Sequence, residues 1–282
     1  MSAGSGTSGT PGPSEAVDPA ELRADCGSCF ALCCVVPAFA RSTDFAIDKG
    51  AGQACPNLRG DFGCGIHTRL REQGFKGCTV YDCFGAGQKV SQVTFLGRDW
   101  RQDPGTARRM FAVFPVMRDL HELLRYLAEA LAWPAAAPVH GELRAAFAAT
   151  EQLTLGDADT LPGLDVDAIR GSVNPLLLRA SELARAAVKG RKQDHRGADL
   201  IGARLKGAAL HGANLRGALL IGADLRGADM RSADVIGADF RDADLRGADL
   251  TGALFLVQSQ LDAARGDGAT VLPPTMRRPA HW

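Results

Sequence analysis

The chain's most reactive residues are its eight cysteines, all confined between Cys26 and Cys83 of 282 residues. They occur as Cys26-Gly-Ser-Cys29-Phe-Ala-Leu-Cys33-Cys34, then Cys55-Pro-Asn-Leu58, Cys64-Gly-Ile-His67 and Gly77-Cys78-Thr-Val-Tyr-Asp-Cys83. A Cys-x-x-Cys loop brings two thiolates to one ion without backbone strain, and thiolates select zinc or iron–sulfur chemistry. The vicinal Cys33-Cys34 pair cannot readily bond to itself but can serve two centres or one polynuclear centre. Eight thiolates suit two tetrahedral zinc sites, or one iron–sulfur cluster with ligands left over. Zinc is the expected metal, with the cluster as the alternative. Disulfides, free thiols and a redox-sensing or catalytic centre are the other readings of the same block. His67 is either a further ligand or a group bonded to one.

The elements from Cys26 through the Cys64-Gly-Ile-His67 stretch resemble the YkgJ-type "CxxCxxxCC" domain, described as zinc- or iron-chelating. The resemblance covers about Cys26 to Gln92 and implies metal binding through Cys26, Cys29, Cys33, Cys34, Cys55 and Cys64. Many relatives carry Arg-Pro soon after the Ile-His/Tyr element; here Leu70 follows Arg69, and a longer spacer leads to Cys78 and Cys83. Few large apolar residues lie in this block beyond Phe30, Phe39, Phe45 and Phe62, so metal binding should couple to its folding.

The rest of the chain must position that block. From Arg196 to Leu256 an apolar residue returns every fifth position, from Leu200, Leu205 and Leu210 to Leu245, Leu250 and Phe255. An alanine stands two residues before each, and glycine usually follows the exposed residue. A period of five fits neither helix nor strand, and a fixed short period marks a solenoid in which each unit buries its apolar residue against its neighbours.

Read as Ala-(Asp/Asn)-Leu-x-Gly, the phrase resembles the pentapeptide-repeat family. The resemblance implies a right-handed quadrilateral β-helix with four repeats per coil, about three coils in all, and with the central residue and the alanine before it pointing inward. Three coils with open ends need caps. The preceding helix is the expected cap at the start. Leu261, Leu272 and Trp282 are expected to fold over the other end.

Between head and repeat the texture is helical. Asp103-Pro104 reads as an N-cap followed by first-turn proline, and Met110, Val113, Phe114, Met117, Leu120, Leu124, Leu127 and Leu131 follow at helical steps. Pro115 is expected to kink or split this helix. A shorter helix is expected from about Val139 to Thr150, a third from Asp165 and a fourth from Asn174-Pro175. The organisation is thus multi-domain: a disordered Gly/Ser/Pro-rich tail (1–20), a Cys-rich metal-binding domain (21–99), a helical region (100–190), the β-helix (191–257) and a capping tail (258–282).

Lys+Arg and Asp+Glu both number 32, so no net charge points to nucleic acid or a membrane surface. The opening residues lack the basic start and apolar core of a signal peptide, and no apolar run reaches membrane-spanning length, so a cytoplasmic location is expected. No phosphate loop, Ser/His/Asp arrangement or paired-carboxylate motif stands out. On the solenoid, Lys206, Arg226 and Arg246 form one outward column with Arg231 beside it, a candidate partner-binding face interleaved with aspartates. Ile201, Ile221 and Arg241, with Leu219 adjacent, form a second column, whose apolar Ile201/Ile221/Leu219 side is expected to meet the protein's own helical region. Three functional classes follow: a non-catalytic scaffold with a metal-stabilised head and a repeat platform for a protein partner; a redox sensor or metalloenzyme centred on the cysteines; and a DNA mimic that protects a topoisomerase. The last needs a contiguous negative field, which this charge-balanced repeat lacks, and the first is the expected one.

Overall fold

A computed structural model describes residues 22–282; the expected tail at 1–20 lies outside them. The longest element, α4 (Pro104–Leu131), is the spine of the molecule. The Asp103 carboxylate accepts the Thr106 N–H at 2.6 Å and Pro104 occupies the first turn, so the start is fixed as the sequence implies. At 28 residues it is about 42 Å long. Its first half packs Met110, Val113, Phe114 and Met117 against Leu32, Val90 and Phe95 of the Cys-rich head. Its second half packs Leu124, Leu127 and Ala130 against Leu143 of α5 (His140–Leu153) and Leu177 of α6 (Val166–Ala186).

Neither internal proline divides its helix. Pro115 lies within α4, and Pro175 lies within α6, which is one helix rather than two. A proline removes one backbone donor and crowds one turn. Here fully buried neighbours on both sides, Phe114 and Met117 in one case and Val173 and Leu177 in the other, hold the helical path.

The repeat region is a solenoid whose coils stack by parallel bridges twenty residues apart: Asp194 to Asn214, Asp199 to Leu219, Arg204 to Asp224, and onward to Asp234 with Leu254. Each coil therefore takes four repeats. The bridges are isolated rather than joined into strands, because a turn interrupts every five residues. Each turn needs a residue at positive φ; glycine usually supplies it, while Ser232 (φ 53°) and Asp242 (φ 55°) do so in two repeats. The alanine and leucine columns are buried from Leu210 to Leu250.

The inward register ends one repeat early. Phe255 is fully buried, yet in the helical core rather than on the solenoid axis, and Leu256 turns into the solenoid in its place. Phe255 adopts φ 59°, its N–H donates to Glu129 Oε1 at 2.6 Å, and its ring packs on Tyr126 and Trp133 with centroids 5.6 and 4.7 Å away. The pull comes from α4, which no local periodicity reveals.

The two ends of the solenoid differ. At the C-terminal end, α7 (Gln258–Ala263) and the residues after it close the last coil, with Leu261 fully buried and Leu272, Met276 and Trp282 packed on the core. At the other end α6 does not lie over the coil. It grips the flank: Ser181 Oγ donates to Asp234 Oδ2 at 2.5 Å and Arg185 Nη1 donates to the Gly212 carbonyl at 3.1 Å. Leu200 and Leu205 remain partly exposed, whereas Leu220 and Leu225 one coil on are fully buried. The helices therefore cover the side carrying Asp234, Ile236 and Phe255, not the Ile201/Leu219 column. Ile201 is 55% and Leu219 40% exposed.

Candidate metal centre

The head is built from short turns, each of which presents cysteine. Cys26 opens a 3-10 turn (Cys26–Ser28) capped by Asp25, whose carboxylate accepts the Gly27 N–H at 3.0 Å and the Ser28 hydroxyl at 2.7 Å. Cys33 and Cys34 sit on α1 (Leu32–Val35), anchored by the buried Leu32 and Val35 on its other side. The Cys55 N–H donates to the Cys34 carbonyl at 3.0 Å, and Cys64 bridges back to Leu58. Cys78 is on α2 (Lys76–Thr79), and Cys83 precedes α3 (Ala86–Gln88).

These turns bring all eight cysteines to the wall of one cavity of about 280 Å³, with His67 at its exposed rim. Phe39, Phe62, Phe75 and Phe114 supply apolar wall between them. None of the eight is in a disulfide. At Gly87 an added Cβ would stand 2.6 Å from Cys29 Sγ and 3.8 Å from Cys83 Sγ, so any side chain there would displace the Cys29 thiol. Backbone N–H groups point at the sulfurs: Ala31 and Leu32 at Cys29, Gly85 and Gly87 at Cys83, and Ile66 at Cys64. Such donors stabilise a thiolate.

Burial works in the opposite direction. It pushes the Cys29 thiol up to about 11 and the Cys78 thiol up to about 12, and it raises Cys26, Cys64 and Cys83. Within the vicinal pair a shared hydrogen bond splits the two groups, raising Cys33 and lowering Cys34. A bound cation reverses the burial effect, because a coordinating thiol is deprotonated outright.

Lys49 is a component that the sequence does not signal. It is 6% exposed, and its ammonium donates to the carbonyls of Val35 (2.8 Å), Gly50 (3.2 Å) and Gln53 (2.9 Å). It thereby ties the segment after Cys34 to the segment before Cys55, and it faces Cys55, Cys34 and Cys78. Its bonding partners are main-chain atoms, which leave no mark in a sequence.

Among the described residues, no three Cys, His, Asp or Glu side chains converge closely enough to hold one metal ion. The donors ring a space many times the ~10–15 Å³ that admits a water molecule. A tetrahedral ion would therefore have to draw the thiols inward from these positions. A soft polynuclear centre, whose ligands stand apart around several atoms, does fit the eight sulfurs, the N–H donors and the glycine cradle.

The basic column on the solenoid is neutralised within each repeat. Arg226, Arg231, Arg241 and Arg246 each grip the aspartate two residues earlier, with closest approaches of 2.6, 2.7, 2.6 and 2.6 Å. Arg226 also reaches Asp244 of the next coil at 3.8 Å, and Arg231 reaches Asp249 at 3.9 Å. Lys206 lies near enough to Asp224 to help lower its pKa.

A family model described as "Pentapeptide repeats" matches in 8 copies, over residues 192–220, 198–235 and 218–255. The "Uncharacterized protein YybG" of Bacillus subtilis (strain 168) is 60% identical over 265 residues, 93% of this chain and 95% of its own. Two solved structures of pentapeptide repeat proteins are similar over part of the chain. The pentapeptide repeat protein Rfr23 from the cyanobacterium Cyanothece 51142 is 36% identical over 28% of this chain, with a TM-score of 0.26. A thylakoid-lumen pentapeptide repeat protein of Arabidopsis thaliana is 33% identical over 24%, with a TM-score of 0.19. The chain spans 52% and 57% of those two chains. It belongs to the family of the B. subtilis protein YybG, and its C-terminal part is a pentapeptide-repeat solenoid.

Proposed function

We propose that this protein is a non-catalytic scaffold whose Cys-rich head, akin to the CxxCxxxCC domains, holds a polynuclear metal–thiolate centre and whose solenoid is a platform for a protein partner. The observation that carries the proposal is the convergence of all eight cysteines, from separate turns, on one cavity. Cys26, Cys29, Cys33, Cys34, Cys55, Cys64, Cys78 and Cys83 are the ligands. Zinc, drawing the thiolates inward to share them between tetrahedral ions, would supply folding energy to a head built mainly of turns. The width of the cavity favours a second reading, an iron–sulfur cluster, in which inorganic sulfide fills the centre and a redox role opens. Paired arginines and aspartates on the solenoid flanks argue against the contiguous negative field of a DNA mimic.

Metal analysis and an absorption spectrum of the purified protein test the centre. About two or more zinc ions on a colourless protein support the zinc reading; a brown protein absorbing near ~400 nm supports the cluster. Removal of the metal under anaerobic reducing conditions should expose residues 26–83 to protease while the repeat stays folded. Metal-free protein still resistant in that region would overturn the proposal.

A further inference from the structure

We infer that two copies of this chain associate end to end through the open N-terminal coil of the solenoid, related by a two-fold axis at the Ile201–Gly202 corner. Within the stack every coil uses its bridge residues to pair with the coil before it. Asn214, Leu219 and Asp224 donate N–H to Gln193, Ala198 and Ala203, and Leu219 and Asp224 accept from Leu200 and Leu205. In the first coil the equivalent groups face outward. Among the described residues, neither the N–H nor the carbonyl of Asp199 or Arg204 has a backbone or side-chain partner. Ala209 is satisfied at its carbonyl by Gln193 Nε2 at 2.7 Å. Between these free edges lie the partly exposed Ala198, Leu200, Ala203, Leu205 and Ala208. An unpaired edge above an apolar floor is a template for another β-edge.

The charges say which edge fits. Successive bridge residues occupy successive sides of the coil, so Asp199 and Arg204 flank one corner. A two-fold axis through that corner exchanges their sides. It sets Asp199 of each copy against Arg204 of the other, with the strands antiparallel, and closes the interface on itself. Arginine–aspartate pairs already cross from coil to coil inside the molecule, where Arg226 and Arg231 at the turns reach Asp244 and Asp249 of the adjoining coil. Ile201, 55% exposed, stands at the same corner and meets its own counterpart on the axis. The Asp194 edge is also free among the described residues, but the bridge residues on the sides next to it are Asp199 and Ala209, which carry no opposite charge.

The test is sedimentation of the full, metal-loaded chain in reducing buffer over a dilution series. A reversible dimer is expected. Asp199→Arg and Arg204→Asp should each weaken it by about tenfold or more through like-charge contacts, and Ile201→Lys should abolish it. The double variant Asp199→Arg/Arg204→Asp should restore it, which a merely structural role for either residue would not do. Unchanged circular dichroism melts of the Ile201→Lys variant show that the fold survives. A monomer at every concentration, which leaves the end to a different occupant, would overturn the inference. So would a dimer indifferent to the single reversals, or a double variant as weak as its parents.

Discussion

The two ends of one repeat show what a cap does. At the C-terminal end the chain imitates a fourth coil without continuing the repeat. Arg265 and Val271 bridge to Asp244 and Asp249, taking up the N–H groups of Leu245 and Leu250. Side chains finish what the backbone does not reach. Gln260 Nε2 donates to the carbonyls of Val235 and Ala238, both at 2.9 Å, and Thr270 Oγ1 donates to that of Leu245 at 2.9 Å. At the N-terminal end the same backbone pattern stops with its donors and acceptors facing outward. The repeat itself therefore does not know where to end; closure must come from outside the stack, from non-repeating sequence or from a second copy.

That contrast is sharpest for a charge placed in the leucine column. Leu225→Lys in the middle coil should bury an unpaired ammonium and cost roughly 4 kcal/mol or more, enough to unfold the solenoid. Leu205→Lys, in the open coil, can turn its ammonium to solvent in the dilute, monomeric chain and should cost under about 2 kcal/mol there. Denaturant melts of the two variants should differ accordingly; equal losses would mean the open end is as sealed as the middle. Next in size is Gln260→Ala. It strands two buried carbonyls and should cost about 1–3 kcal/mol, with faster amide exchange in the last coil and none in the first.

The smallest effect belongs to the flanks between the ends. The Arg226 hydrogen bond holds Asp224 down at about 2, against an ordinary 3.8. A carboxyl depressed in the folded state stabilises it above the unfolded value, and that contribution is lost as pH falls through the folded value. The Asp–Arg ladder should thus persist to below pH 3.8 and fail near about 2. Because both partners are solvated, Arg226→Ala should leave the melt at pH 7 unchanged within error and only flatten its acid dependence between those limits. A clear loss at pH 7 would show that the flank bears more of the stability than its exposure implies.

The sequence made the coil period, the inward columns as far as Leu250 and the clustering of the thiols legible, because each depends on local spacing alone. What it hid depends on distant partners. Phe255 leaves its column for Tyr126, Trp133 and Glu129, more than a hundred residues earlier. Lys49 is fixed by carbonyls, and Pro175 is absorbed into α6 by buried neighbours that propensity ignores. The cysteine spacing marked the eight thiols but not the width of the cavity they share, which Phe39, Phe62, Phe75 and Phe114 also line.

The grip of the helices on the solenoid limits how this lineage can change length. Arg185 holds Gly212 at the close of the first coil, Ser181 holds Asp234 at the opening of the third, and Glu129 holds Phe255 after it. Two rigid helices thus act as a caliper on the stack. Duplication of twenty residues between Gly212 and Phe255 would shift the later contacts by about 4.8 Å and break at least one of them. Gene duplications that lengthen the repeat should therefore survive only ahead of Gly212, where nothing measures the coil.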